Sequence, residues 1–144
     1  MRRESDLLER LRPAAERVFH GGPVLVAYAF GSRLTGTARS DSDLDVGYYL
    51  HEYRRGATMP LREEMQLAVE LSDVLDIEVD IHNLGVAPLE FRGRVLEDGV
   101  RIYSSDEPQR VTLECELLAR YHDHKDGFRR LHEERLRAIA SRGL

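Results

Sequence analysis

The stretch FGSRLTGTARSDSDLDVGYYL, residues 30–50, is the part of this sequence that decides the fold. A nearly continuous apolar run, Val24–Phe30, ends where the stretch begins, and a second run rich in β-forming residues, Leu44–Leu50, ends it. The residues between the two runs are small and polar, as is typical of a loop. The pattern therefore predicts a buried strand, a loop and a second strand.

Two aspartates stand at the start of the second predicted strand. Asp43 and Asp45 are two residues apart, so on a strand both carboxylates project from the same face. Two negative charges this close together are costly unless a cation lies between them. Oxygen ligands favour Mg²⁺ or Mn²⁺ over zinc, and Mg²⁺ is usually completed by the phosphates of a substrate. We therefore expect a metal site at these two residues.

The residues that directly follow the first strand are suited to binding phosphate beside that metal. Gly31 allows the backbone to approach a phosphate closely, and Ser32 offers an N–H and a hydroxyl donor. Arg33 lies in the same loop and is a candidate contact to a triphosphate. An arginine is the expected cation because Lys125 is the only lysine among the 21 basic residues.

A third carboxylate lies on a later predicted strand, Ile77–His82, in which apolar and polar residues alternate. Glu78, Asp80 and His82 share its polar face. If this strand lies beside the second strand, Asp80 reaches the same metal cluster and can also accept the proton of an attacking hydroxyl. Glu78, on the same face, is the alternative candidate for this role at the metal cluster. These residues alone indicate metal-dependent nucleotidyl or phosphoryl transfer, with two metal ions clamping the reacting oxygens.

The remainder of the chain predicts helices around a small sheet, and so an α/β or α+β domain. We expect a mixed sheet of about four strands flanked by helices, and one domain over residues 1–144 with a C-terminal helix from about residue 107. The predicted boundaries are a first helix from Ser5 that kinks or restarts at Pro13, a helix opened by Thr58 and Pro60, a short helix between Pro88 and Gly99, an edge strand at Val100–Tyr103, and a last helix from Asp106. The apolar stripe predicted on this last helix consists of Val111, Leu117, Leu118, Tyr121, Phe128, Leu131, Leu136 and Ile139.

Composition excludes several classes of protein. The net charge of −5 argues against general nucleic-acid binding, so we expect no direct contact with nucleic acid. The single cysteine, Cys115, cannot form an intrachain disulfide. The longest apolar run is too short to cross a bilayer, so we expect no membrane association. The simplest expectation is a cytoplasmic protein.

The motifs together resemble the nucleotidyltransferase superfamily that includes DNA polymerase β, and in particular its minimal branch, the MNT proteins. Gly31-Ser32 is followed after ten residues by Asp43-x-Asp45 and later by the strand-borne Asp80. Similarity continues through DIEVDIHNL, LEDGVRIYSSDE and LLARYHDHKDGF, so it covers the chain from about residue 25 to about residue 128. The later segments resemble the antitoxins of HEPT/MNT toxin–antitoxin pairs.

The resemblance implies a nucleotidyltransferase fold and a specific reaction. In that family, Asp43 and Asp45 would bind two Mg²⁺ ions, with Mn²⁺ as an alternative, and Asp80 would complete the site. Gly31 and Ser32 would hold the triphosphate of ATP. The implied activity is transfer of AMP from ATP to a tyrosine hydroxyl of a HEPT toxin, which silences that RNase within a hetero-oligomer.

Two other functions stay open from the sequence. The same chemistry can modify a hydroxyl on a small molecule, as aminoglycoside nucleotidyltransferases do, although 144 residues leave little room for their added substrate domain. Alternatively, the protein is a non-catalytic antitoxin that neutralises its partner by binding alone. The complete set of Gly31, Ser32, Asp43, Asp45 and Asp80 speaks against the second possibility.

Overall fold

The structure, a computed structural model, describes residues 2–31 and 44–141 and has the expected α+β composition. Four strands form one mixed sheet, and helices flank it. The elements are α1 (Arg2–Phe19), β1 (Val24–Phe30), β2 (Leu44–Leu50), α2 (Leu61–Leu75), β3 (Val79–Asn83), α3 (Leu89–Asp98), β4 (Val100–Ser104) and α4 (Glu107–Ser141), with 3₁₀ turns at Tyr53–Arg55 and Leu84–Val86.

The strands are arranged in the order β3-β2-β1-β4. β1 is antiparallel to both β2 and β4, and β2 is parallel to β3. A parallel pair needs a crossover connection, which α2 provides between β2 and β3. The prediction that Val100–Tyr103 adds an edge strand is confirmed. β1 lies inside the sheet, which explains why its apolar residues run almost without interruption.

Each face of the sheet is covered by a different pair of helices. α1 and α2 pack on one face, where Leu11, Phe19, Val46 and Leu71 are among the residues of a buried cluster. α3 and α4 pack on the other face around a second cluster, which the following residues form together with partly buried neighbours: Leu25, Val26, Tyr28, Tyr49, Leu84, Val95, Leu113 and Leu117. The sheet is therefore the middle layer of three.

The structure refines the sequence predictions for two helices. Of the two outcomes predicted at Pro13, a restart is excluded, because α1 is one continuous helix from Arg2 to Phe19. An interior proline costs about 3 kcal/mol, and the burial of the α1 stripe that includes Leu11 and Phe19 offsets it. Among the side chains that the structure describes in α4, the buried stripe consists of Leu113, Leu117 and Tyr121, at intervals of four residues. Val111, Leu118 and Leu136, which were predicted on the stripe, are exposed, and the side chains of Phe128, Leu131 and Ile139 lie outside the described part.

The N-terminal part of α4 is attached to the sheet by a partly buried hydrogen bond. The Tyr28 hydroxyl on β1 donates to Glu114 Oε1 over 2.8 Å, and Glu114 also accepts from Arg101 and Arg110. Burial raises the pKa of Tyr28, and the bond to the Glu114 carboxylate raises it further. The phenol is therefore neutral over the whole ordinary pH range. The predicted helix start is confirmed, since the Asp106 carboxylate accepts from Gln109 N–H over 3.1 Å.

The contact between α3 and α4 requires a glycine. Gly93 on α3 lies so close to the ring of Tyr121 on α4 that a Cβ atom would overlap the ring carbons. We expect Gly93→Ala to lower the free energy of unfolding by about 1–3 kcal/mol, because the buried Tyr121 ring must shift. Gly22→Ala is the matched control, since its added Cβ would meet the Phe19 carbonyl oxygen at an ordinary 3.4 Å.

Urea unfolding of the two variants checks this contact. Gly22→Ala should change the free energy of unfolding by less than about 0.5 kcal/mol, as surface substitutions usually do. Equal stability of Gly93→Ala and the unmodified protein would contradict the close packing of α3 on α4.

Candidate active site

The parallel pairing of β2 with β3 brings two of the predicted carboxylates together. Asp45 and Asp80 are direct partners in the register, one position after the pair Leu44 and Val79. Leu44 and Val79 are buried in the cluster under α1 and α2. Because side chains alternate along a strand, Asp45 and Asp80 must project from the opposite face, on the side of α3 and α4. The prediction that the third strand lies beside the second is thus correct.

The end of β1 completes this edge of the sheet. Phe30 pairs with Asp45, and Gly31 follows with a φ of +100°, a conformation that residues with a side chain rarely adopt. A Cβ atom at Gly31 would lie 2.5 Å from Asp45 Oδ2. Gly31 therefore permits a close approach by the Asp45 carboxylate, while the expectation that a phosphate approaches this backbone stays a prediction.

A histidine is the third member of the cluster. His82 Nε2 lies 3.2 Å from Asp45 Oδ1 and 3.4 Å from Asp80 Oδ2. Within the described residues, these three side chains form a group whose potential ligand atoms all lie within 4.8 Å of one another. The alternation of Ile77–His82 already predicts that His82 shares a face with Asp80. The sequence analysis nevertheless assigned His82 no role, because its distance to Asp45 depends on how the strands pair.

Two aromatic rings lie close to the His82 imidazole. The centroid of the His82 ring is 5.7 Å from that of Phe30 and 6.2 Å from that of Phe91 on α3. Phe30 and Phe91 pack edge to face at 5.6 Å. The three side chains of the cluster remain partly open to solvent, and Asp80 is the most exposed at 58%. The site is thus accessible from outside on its carboxylate side.

Other predicted site residues divide into two groups. Asp43, Ser32 and Arg33 lie outside the described residues, so their assignment stays a prediction. Glu78 is described, is exposed and lines a shallow groove on α2 with Ser72 and other residues. It is not a member of the cluster formed by Asp45, Asp80 and His82.

A separate cavity of about 320 Å³ lies on the same face of the sheet, toward the other end of β2. Arg54, Arg92 and Arg120 line it, and Glu116 pairs with Arg54. Tyr49 also lines it, and burial raises the pKa of its phenol. Among the described residues that line this cavity, Glu116 is the one carboxylate, so the cavity lacks the paired carboxylates of the cluster.

Comparison with known protein families shows to which family the chain belongs. Residues 16–108 match the family described as polymerase beta, nucleotidyltransferase. The protein belongs to this nucleotidyltransferase family. The matched region runs from the end of α1 to the start of α4, so it contains the whole sheet and the cluster at its edge. No curated protein sequence matches the chain significantly.

Solved structures show the same fold in complexes of two proteins. A chain of a toxin–antitoxin crystallised with AMP-PNP is 17% identical, with a TM-score of 0.62, over 90% of this nucleotidyltransferase and 98% of that chain. A second match is a chain from the complex of tri-AMPylated Shewanella oneidensis HEPN toxin with MNT antitoxin. It is 15% identical, with a TM-score of 0.59, over 92% of this nucleotidyltransferase and 98% of that chain. A chain of the MntA–HepT toxin–antitoxin is 14% identical, with the same TM-score, over 92% and 98%.

Within residues 2–31 and 44–141, no helix combines the length and the apolar character that crossing a bilayer requires.

Gly31 offers a direct test of the site's geometry. We expect Gly31→Ala to weaken binding of a divalent cation by about tenfold or more, because the new Cβ displaces the Asp45 carboxylate, which the sequence predicts to be a metal ligand. Gly56→Ala is the matched control. Gly56 also has a positive φ, +68°, but among the described residues no heavy atom lies within 4 Å of its added Cβ.

Isothermal titration with Mn²⁺ and thermal unfolding separate the two effects. Both variants should lose stability by about 1–2 kcal/mol from the left-handed backbone, while only Gly31→Ala loses metal affinity. If both variants bind Mn²⁺ equally well, the contact of Gly31 with Asp45 does not shape the metal site.

Proposed function

We propose that this nucleotidyltransferase is an Mg²⁺-dependent protein adenylyltransferase, which transfers AMP from ATP to a tyrosine hydroxyl of a HEPT-type toxin and so acts as its antitoxin. The observation that carries the proposal is the direct pairing of Asp45 with Asp80 at the edge of the sheet. Family membership supports the class of chemistry. The fold shared with toxin–antitoxin complexes, one with AMP-PNP and one with an AMPylated toxin, supports the partner and the nucleotide.

The donor set of the cluster fits a divalent cation. Two carboxylates on adjacent strands repel one another, and a cation between them removes that cost. The residues that would hold Mg²⁺ are Asp45 and Asp80, together with Asp43 from the sequence prediction, and we propose two ions with Mn²⁺ as an alternative. When bound, the metal would neutralise charge on the triphosphate and lower the pKa of the attacking hydroxyl.

The reaction is an in-line displacement at the α-phosphorus of ATP. The phenolic oxygen of the acceptor forms a bond to that phosphorus, and the bond from phosphorus to the oxygen of the leaving pyrophosphate breaks. Asp80 is placed to accept the phenolic proton, because its carboxylate is the most exposed of the cluster and so the most accessible to an incoming side chain. The products are the tyrosine–AMP ester, pyrophosphate and one proton.

The loop after β1 is proposed to bind the triphosphate. Gly31, Ser32 and Arg33 would supply backbone N–H groups, a hydroxyl and a guanidinium, which are donors suited to phosphate oxygens. We further propose that residues 1–144 form a single domain, that the protein works in a hetero-oligomer with its toxin, and that it is cytoplasmic, where ATP is available.

The proposal predicts a mass change in the partner. Incubation of the protein with ATP, Mg²⁺ and its HEPT partner should add one or more AMP groups to the partner, as measured by intact-mass spectrometry. Asp45→Asn and Asp80→Asn should each lower the rate by about a hundredfold or more, since each loses a metal-binding charge worth several kcal/mol in the transition state.

Glu78→Gln is the matched control for these two variants. It removes a carboxylate two residues before Asp80, just before β3 and outside the cluster, and should leave the rate nearly unchanged. A partner whose mass does not change, although its toxicity is relieved, would refute the catalytic proposal and favour neutralisation by contact alone.

A further inference from the structure

The position of His82 goes beyond what the reaction requires of two or three aspartates. Its Nε2 atom lies at nearly equal distances from the two carboxylates, 3.2 Å from Asp45 Oδ1 and 3.4 Å from Asp80 Oδ2. It thus faces both of the groups that would hold a metal ion. An imidazole that only oriented one carboxylate by a hydrogen bond would lie close to that carboxylate alone.

The 3.2 Å contact of His82 Nε2 with Asp45 Oδ1 is within hydrogen-bond distance, and both separations also match those of atoms that share one metal ion. Ligand nitrogen and oxygen atoms lie about 2.0–2.2 Å from ions such as Zn²⁺ and Mg²⁺, so neighbouring ligands are about 3.0 Å apart at octahedral angles and about 3.4 Å at tetrahedral angles. Both distances from His82 Nε2 fall within this range. The ligand atoms of all three side chains lie within 4.8 Å of one another, so the three donors are close enough to bind a common ion once the carboxylates draw together around it.

The surroundings of the ring favour this orientation. Phe30 and Phe91 contact the imidazole, and both rings are apolar, so neither offers Nε2 a competing hydrogen-bond partner. His82 pairs with Gly47 on β2. The Leu84 side chain occupies the space where a side chain at Gly47 would lie.

We propose that His82 Nε2 is a direct ligand of the divalent metal held by Asp45 and Asp80, and that this nitrogen gives the site a preference for Mn²⁺ over Mg²⁺. The inference rests on the metal site of the proposed function. An all-oxygen set suits Mg²⁺, whereas an imidazole adds affinity for transition metals and little for Mg²⁺. The nitrogen ligand therefore acts on the choice of metal more than on the binding of nucleotide.

Pulsed electron paramagnetic resonance of Mn²⁺ added to the full chain tests the coordination directly. We expect a ¹⁴N coupling in the unmodified protein, replaced by a ¹⁵N coupling when the protein contains ¹⁵N-labelled histidine. His82→Ala should abolish the coupling. His51→Ala is the matched control, because His51 follows the other end of β2, where its Nε2 contacts Ser105 Oγ at 3.2 Å.

Metal affinities supply the second readout. His82→Ala should weaken Mn²⁺ binding by about tenfold or more and Mg²⁺ binding by less than about threefold, which lowers the preference for Mn²⁺. His51→Ala should change neither affinity. The spectrum of the unmodified protein decides the question even if His82→Ala does not fold.

The outcomes separate this inference from the proposed function. If Mn²⁺ binds and displays no histidine coupling, His82 is not a ligand and the inference is overturned, while the metal site at the aspartates stands. If the unmodified protein does not bind Mn²⁺ at all, this inference and the proposed metal requirement both fail. Equal loss of Mn²⁺ and Mg²⁺ affinity in His82→Ala would overturn the proposed preference.

Discussion

The parallel register between β2 and β3 is the constraint on which the rest of the site depends. It places Asp45 beside Asp80, although the two residues are far apart in the sequence. A slip of one residue would turn one of these carboxylates into the opposite face of the sheet. The register is maintained by the apolar residues on either side, since Leu44 and Val46 are buried against α1 and α2. Packing on one face of the sheet therefore determines the chemistry on the other.

The same edge combines several features that a stable protein usually avoids. Two carboxylates lie side by side, and Gly31 has a left-handed backbone conformation with no room for a side chain. Such local costs are typical of functional sites, where the surrounding structure holds residues in unfavourable arrangements. Here β1 and β2 supply that support, because both are buried along nearly their whole length. A bound cation would convert the repulsion between the carboxylates into attraction.

Local patterns in the sequence were sufficient to predict the sheet and to place Asp45 and Asp80 on their strands. Apolar runs and alternation gave the strands, and the mixed four-stranded sheet with its edge strand is confirmed. Pairing across the sheet is not encoded locally, and for that reason the sequence did not bring His82 together with Asp45. The burial of Leu113 was missed because it depends on how α4 packs on the sheet. At Pro13 the sequence predicted a kink or a restart, and the restart is excluded because packing of α1 outweighs the local cost of proline. The assignments of Asp43, Ser32 and Arg33 stay predictions.

The central claim is that the edge formed by β1, β2 and β3 holds a metal ion against a nucleotide. Crystals grown with Mn²⁺ and a non-hydrolysable ATP analogue, measured at a wavelength where manganese scatters anomalously, test it most directly. The account predicts an anomalous peak within coordination distance of both the Asp45 and the Asp80 carboxylates, with the triphosphate bound beside Gly31. An analogue bound elsewhere, or a manganese peak that contacts neither carboxylate, would contradict it.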